Sequence, residues 1–161
     1  GIALAAKYIV TRHSTSSGPY NARPRVAGSD PGGPVQFASR RFGNIAVAVP
    51  SGRLDHAAAA DFEAALVPLA SDAANTGLVL DMAGVDYLSS VGLRVLMLAT
   101  KAARARKARI AAVALQPLVA EIFQISRFDS VFEMYPSVPA ALSAISPDAR
   151  AAYDASAATQ G

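Results

Sequence analysis

Residues 78–98, "LVLDMAGVDYLSSVGLRVLML", constrain the fold of this chain more than any other stretch. A short apolar run, bounded by turn-forming residues, leads within a few positions into an equally apolar segment of helical length. The first part reads as a strand buried on both faces, and the second as a helix packed against the sheet that holds it. Between them stand Asp81, Asp86 and the pair Ser89–Ser90. Core construction alone does not require hydroxyls at such a hinge. Their placement at a helix start makes them candidates for more than packing.

The flanking sequence alternates in the same way. "VQFASRRFGNIAVAVPSG" reads as two short strands around a turn at Gly43-Asn44, the second being "IAVAV". In "HAAAADFEAALVPLAS", Ala58, Phe62, Ala65, Leu66 and Leu69 recur at helical spacing. After the helix over 90–107 come a strand in "ARIAAVAL" and a helix in "QPLVAEIFQISRF" with Pro117 in its first turn. A short strand, "VFEMY", and a last helix, "PSVPAALSAI", complete the pattern. Strand–helix alternation predicts an α/β layer fold. We expect a four- or five-stranded mixed sheet with residues 78–82 central and helices near 57–70, 91–107, 117–126 and 136–145. The folded unit is 35–145. Residues 1–34, rich in Ser, Gly and Pro from Thr11 onward, read as a partly disordered arm or linker, and 146–161 as a flexible tail.

The helix after Ser90 carries more apolar surface than a sheet face can cover. Leu93, Leu96, Met97, Thr100 and Ala103 form one stripe, and Val91, Val95, Leu98 and Ala102 another. Either a second element covers the extra stripe, or it is exposed for a partner.

Several function classes are excluded or disfavoured by what the chain lacks. With 52% hydrophobic and 17% charged residues it is globular, and its 161 residues suit one domain. No apolar run reaches the roughly 18 residues that a membrane span needs, and no basic region precedes the apolar opening "GIALAAKYIV". Absence of cysteine removes disulfides and thiol chemistry and fits a cytoplasmic location. The net charge of +3 permits an acidic partner without requiring nucleic acid. His13 and His56 share no metal-ligand spacing, so no metal or cofactor is expected. A hydrolase elbow needs glycine where Leu88 stands, and Asp55 and His56, being adjacent, would diverge rather than line up behind one serine. No phosphate-binding Gly-x-x-x-x-Gly-Lys loop occurs. The basic run "KAARARKAR" puts Lys101, Arg104 and Lys107 on one face with no interleaved aromatic, which reads as a solvated helix end. No catalytic residues are assigned.

The serines remain. Either is a natural N-cap, its oxygen accepting from a helix N–H. The same position also tolerates a phosphate, because free amide groups and the dipole favour negative charge there. Gly92 just beyond allows close backbone approach.

"GRLDHAAAADFEAAL", then "LVLDMAGVDYLSSVGLRVLMLATKAARARKARIAAVAL" and "FEMYPSVPAALSAI", resemble the STAS domain of bacterial anti-sigma factor antagonists. The likeness runs from about Val35 to Ile145, and its two motifs, Gly-Arg-Leu-Asp and Asp-x-x-x-Val-x-x-x-Ser-Ser-x-Gly-Leu, are specific in combination. The resemblance implies a STAS-like sheet with helices stacked mainly on one side. It implies a binding module for an anti-sigma factor serine kinase, reset by a PP2C-type phosphatase. The phosphorylated serine of that family falls on Ser90, with Ser89 as the alternative acceptor; many members have Asp where this chain has Ser89. The implied partner surface comprises Asp55, Ser89, Ser90, Val91, Gly92, Arg94, Val95 and Leu98. STAS-like domains also serve as accessory subunits of lipid-transport ABC complexes or as stress-signalling scaffolds, using the same helix for docking.

Overall fold

The structure, a computed structural model, describes residues 36–160. The expected arm, residues 1–34, lies outside them. The described chain opens with an antiparallel hairpin of β1 (Gln36–Phe42) and β2 (Ile45–Leu54). Gly43 turns the hairpin at φ 60, a left-handed value that glycine adopts without steric cost. Along β2 the side chains alternate: Ile45 and Val47 enter one apolar cluster, Ala46 and Ala48 another. Each face of the sheet therefore builds its own core.

The other strands are β3 (Gly77–Asp81), β4 (Gly84–Leu88), β5 (Arg109–Val113) and β6 (Glu133–Tyr135). They pair in the order β1-β2-β3-β5-β6, every neighbour after the hairpin being parallel. As its unbroken apolar run predicts, β3 is central, with Leu78, Val79 and Leu80 fully enclosed.

The sixth strand goes beyond the expected four or five. β2 is long enough to pair with β3 over 45–48 and with β4 over 51–54. Its register with β4 shifts between Gly52 and Arg53, and Gly52 sits at φ 102. Gly84 lets the strands approach: a Cβ there would lie 2.8 Å from that of Ser51. With Asp86 and Tyr87 among only five residues, the strand has too little apolar alternation to stand out in sequence.

The helices α1 (Ala59–Ser71), α2 (Ser90–Ala105) and α3 (Pro117–Ile125) cover one face, contributing Phe62, Leu66, Val95, Leu96, Val119 and Phe123. On the second face α4 (Val138–Ile145) packs Ala141 and Leu142 over Ile45, Val79 and Val113. A further helix, α5 (Pro147–Gln160), joins it there. Helices thus lie on both faces, the three earlier ones on the face that carries the serines.

The helix α5 corrects the expected flexible tail over 146–161. Ser146 caps it, its Oγ accepting from the Ala149 N–H at 3.2 Å. Ala149 is fully buried, and the Tyr153 ring meets Phe42 edge-on at 5.2 Å between centroids. Arg150 pairs with Asp154 at 3.0 Å across one turn. Alanines make a weak apolar stripe, so the sequence signal is faint. Only the adjacent Gly43 turn, where α5 approaches the hairpin closely, turns that stripe into a packing surface. Replacing Tyr153 by Ala is expected to cost about 1–2 kcal/mol of stability, read from urea unfolding.

The three-residue edge strand β6 is pinned by charge. Arg109 donates twice to Glu133, at 2.8 and 2.6 Å, and the Tyr135 hydroxyl donates to the same carboxylate at 2.7 Å. Chiefly through the Arg109 hydrogen bonds, the Glu133 carboxyl is held below the usual glutamate range, and Tyr135 lowers it further. A depressed carboxyl contributes stability above its unfolded pKa and loses it as pH falls through the folded value. Glu133→Gln should therefore be less stable than the parent at neutral pH, the gap closing on acidification in pH-dependent denaturation.

Candidate functional site

Two parallel strands, β2 and β4, end side by side with Leu54 opposite Leu88. Their C-terminal ends deliver the Asp55 loop and the start of α2 to one place, the end of a parallel sheet where functional groups collect. The fastening is local. The Leu54 carbonyl accepts from the Ser89 N–H at 3.0 Å and from the Ser89 hydroxyl at 3.1 Å. That hydroxyl in turn accepts from the Gly92 N–H at 3.2 Å. Ser89, at φ −88 and ψ 173, is the N-cap of α2.

Gly92 explains how close the helix sits. A Cβ at this position would lie 2.7 Å from the Leu54 carbonyl oxygen and 2.8 Å from Leu88 Cδ1. The glycine is buried, and backbone blocks any larger residue.

Ser90 differs from its neighbour. It is the first residue of the helix, exposed, and its hydroxyl makes no hydrogen bond among the described residues. Beside it, Asp55 caps its own loop by accepting from the Ala58 N–H at 3.1 Å. Asp55 also attracts Arg53, Nε to Oδ2 3.6 Å, while the Arg53 guanidinium covers the Tyr87 ring at 4.3 Å. Sequence reasoning did not single out Arg53 or Tyr87. Their juxtaposition comes from the β2–β4 pairing, which no local pattern announces.

Of the expected surface residues, Ser90 and Arg94 are exposed, and Asp55, Ser89, Val91 and Leu98 are half-buried. Val95 and Gly92 are corrections. Val95 is 2% exposed and belongs to the core, and Gly92 is closed in against Leu54 and Leu88. α1 packs along α2, and of the extra apolar stripe only Val95 is buried, while Val91, Leu98 and Ala102 stay half-buried. Met97, expected within a core stripe, is 38% exposed instead. Together with Ser90, Arg94, Lys101 and Arg104 it forms the outward face of α2. Counting fours and threes from Ser90 finds this face in sequence, had Met97 not been taken as core.

Among the described residues no group of His, Asp and Glu is arranged to hold a metal ion. No helix among them is long and apolar enough to cross a membrane. Among the described residues the site combines a capped helix end, a hydroxyl without a hydrogen-bond partner, and a cationic and apolar face.

The family described as "Mlab, STAS domain" matches residues 41–136. The chain belongs to the STAS domain family. A relative from Bordetella bronchiseptica, BtrV, to which the role of anti-sigma factor antagonist is ascribed, is 35% identical over 110 residues, spanning 68% of this chain and 94% of its own length. Among solved structures, this STAS domain is similar to an anti-sigma factor antagonist from Mycobacterium paratuberculosis. That match has a TM-score of 0.64 at 25% identity and covers 69% of this chain and 93% of the other. The antagonist SpoIIAA in its unphosphorylated form shares the fold, with a TM-score of 0.58 at 18% identity over 67% of this chain and 95% of its own. BtrV and the Mycobacterium paratuberculosis protein both carry the name of anti-sigma factor antagonists.

The two serines should separate in a stability experiment. Ser89→Ala removes the cap and its bond to Leu54, at an expected cost of about 1–2 kcal/mol, whereas Ser90→Ala stays within about 0.5 kcal/mol of the parent in urea unfolding.

Proposed function

We propose that this STAS domain is an anti-sigma factor antagonist, a non-catalytic binding module of the cytoplasm. Its partner is an anti-sigma factor serine kinase, Ser90 is the phosphate acceptor, and a PP2C-type phosphatase resets it. One observation carries the choice of Ser90: the Ser89 hydroxyl is committed to Leu54 and Gly92, while the Ser90 hydroxyl is exposed and unbound. Kinship with BtrV supports the antagonist reading over that of a transporter accessory subunit.

The geometry supports a phosphate that acts as a switch without harming the fold. At the first position of α2 it meets the positive end of the helix dipole, and no acidic residue lies in the first turn to repel it. The domain keeps its structure. A partner seated on Met97, Leu98 and the neighbouring cations must instead accommodate a new charge of about −2, which burial at an interface penalises.

Phosphate incorporation by the cognate kinase, partner affinity and melting temperature are the measurements that decide. Ser90→Ala should take up no phosphate. Ser90→Asp should bind roughly a hundredfold more weakly, about 3 kcal/mol, at an unchanged melting temperature. Continued phosphorylation of Ser90→Ala, or full-strength binding by Ser90→Asp, rejects the assignment. Recovery of an ABC ATPase rather than a kinase as the stoichiometric partner from native cells would make the domain an accessory subunit.

A further inference from the structure

The outward face of α2 runs Ser90, Arg94, Met97, Lys101, Arg104, all exposed, and the helix contains no acidic residue. Arg94 stands one turn beyond Ser90. Among the described residues its guanidinium forms no hydrogen bond or ion pair. Two other arginines near the ends of α2, Arg53 and Arg106, are engaged. Arg53 lies between Asp55 and Tyr87, and Arg106 donates to the Ala70 and Asn75 carbonyls at 3.1 and 2.8 Å. An unpaired cation four residues after an exposed hydroxyl is well placed for an anion on that hydroxyl. Side chains at this spacing stand about 5–6 Å apart at Cβ, and the anion-first order is the favoured one.

We infer that Arg94 receives the phosphate on Ser90, closing an ion pair across one turn of α2. This rests on the reading of Ser90 as the acceptor. It gives phosphorylation a second effect. Besides adding charge, the phosphate withdraws the leading cation of a basic face that fits an acidic partner surface. Other charged or titratable groups near the helix start include Arg53, Asp55 and His56 beside the end of β2 and Asp86 on β4. Of these, Asp55 already has Arg53 as its counter-ion.

The test installs phosphoserine at position 90 of the full chain by genetic code expansion and follows the second phosphate ionisation by phosphorus NMR. An adjacent guanidinium favours the dianion, so Arg94→Gln should raise that pKa by about 0.3–0.6 units. Arg94→Lys should fall in between, and Lys101→Gln, about three turns from Ser90, should leave it unchanged. At about 0.5 M NaCl the difference should shrink by screening. Helix content by circular dichroism should stay equal throughout, separating the pair from a structural effect. An identical pKa in all four chains, or a shift from Lys101→Gln as large as that from Arg94→Gln, overturns the inference. Because the phosphate is installed rather than transferred, this outcome is independent of the kinase. Phosphorylation of Ser90→Ala would reject the acceptor, and an unmoved titration would reject Arg94 alone.

Discussion

The Leu54 carbonyl is the point on which the rest of the site depends. It terminates β2, and both the N–H and the hydroxyl of Ser89 donate to it. A strand end and a helix start are thereby joined through one oxygen, and Gly92 clears the space that lets them meet. The buried carbonyl is satisfied, the helix is capped, and the next residue is pushed out to solvent. Ser90 is exposed because Ser89 is not free to be.

That fastening makes sense only on a rigid platform. The sheet is covered on both faces, α1, α2 and α3 over one and α4 and α5 over the other, with β3 sealed between them. The helix start therefore stands on a packed core, with Ser90 exposed at its surface. The face presented is cationic around an exposed methionine, Met97.

Legibility followed contact range. The enclosed run over 78–80 and the amphipathic helix around Phe62 announce themselves, because deep burial demands a dense and periodic apolar pattern. Weakly apolar elements do not. The alanines of α5 and the short β4 acquire meaning from what lies opposite them, the Gly43 turn and the far end of β2. Val95 was misread for a related reason: periodicity shows that a residue is apolar, but not that α1 lies beside α2 to cover it.

From the sequence alone came the α/β class, the central strand and the helix beginning at the serine pair. These are set by local hydrophobic period and backbone chemistry, which neighbours along the chain already contain. Tertiary structure decided which serine caps and which is offered, which of the α2 residues face outward, and that Arg53, Asp55 and Tyr87 meet. Each of those depends on strands far apart in sequence arriving at the same sheet edge in one register, a relation that no window of the chain encodes.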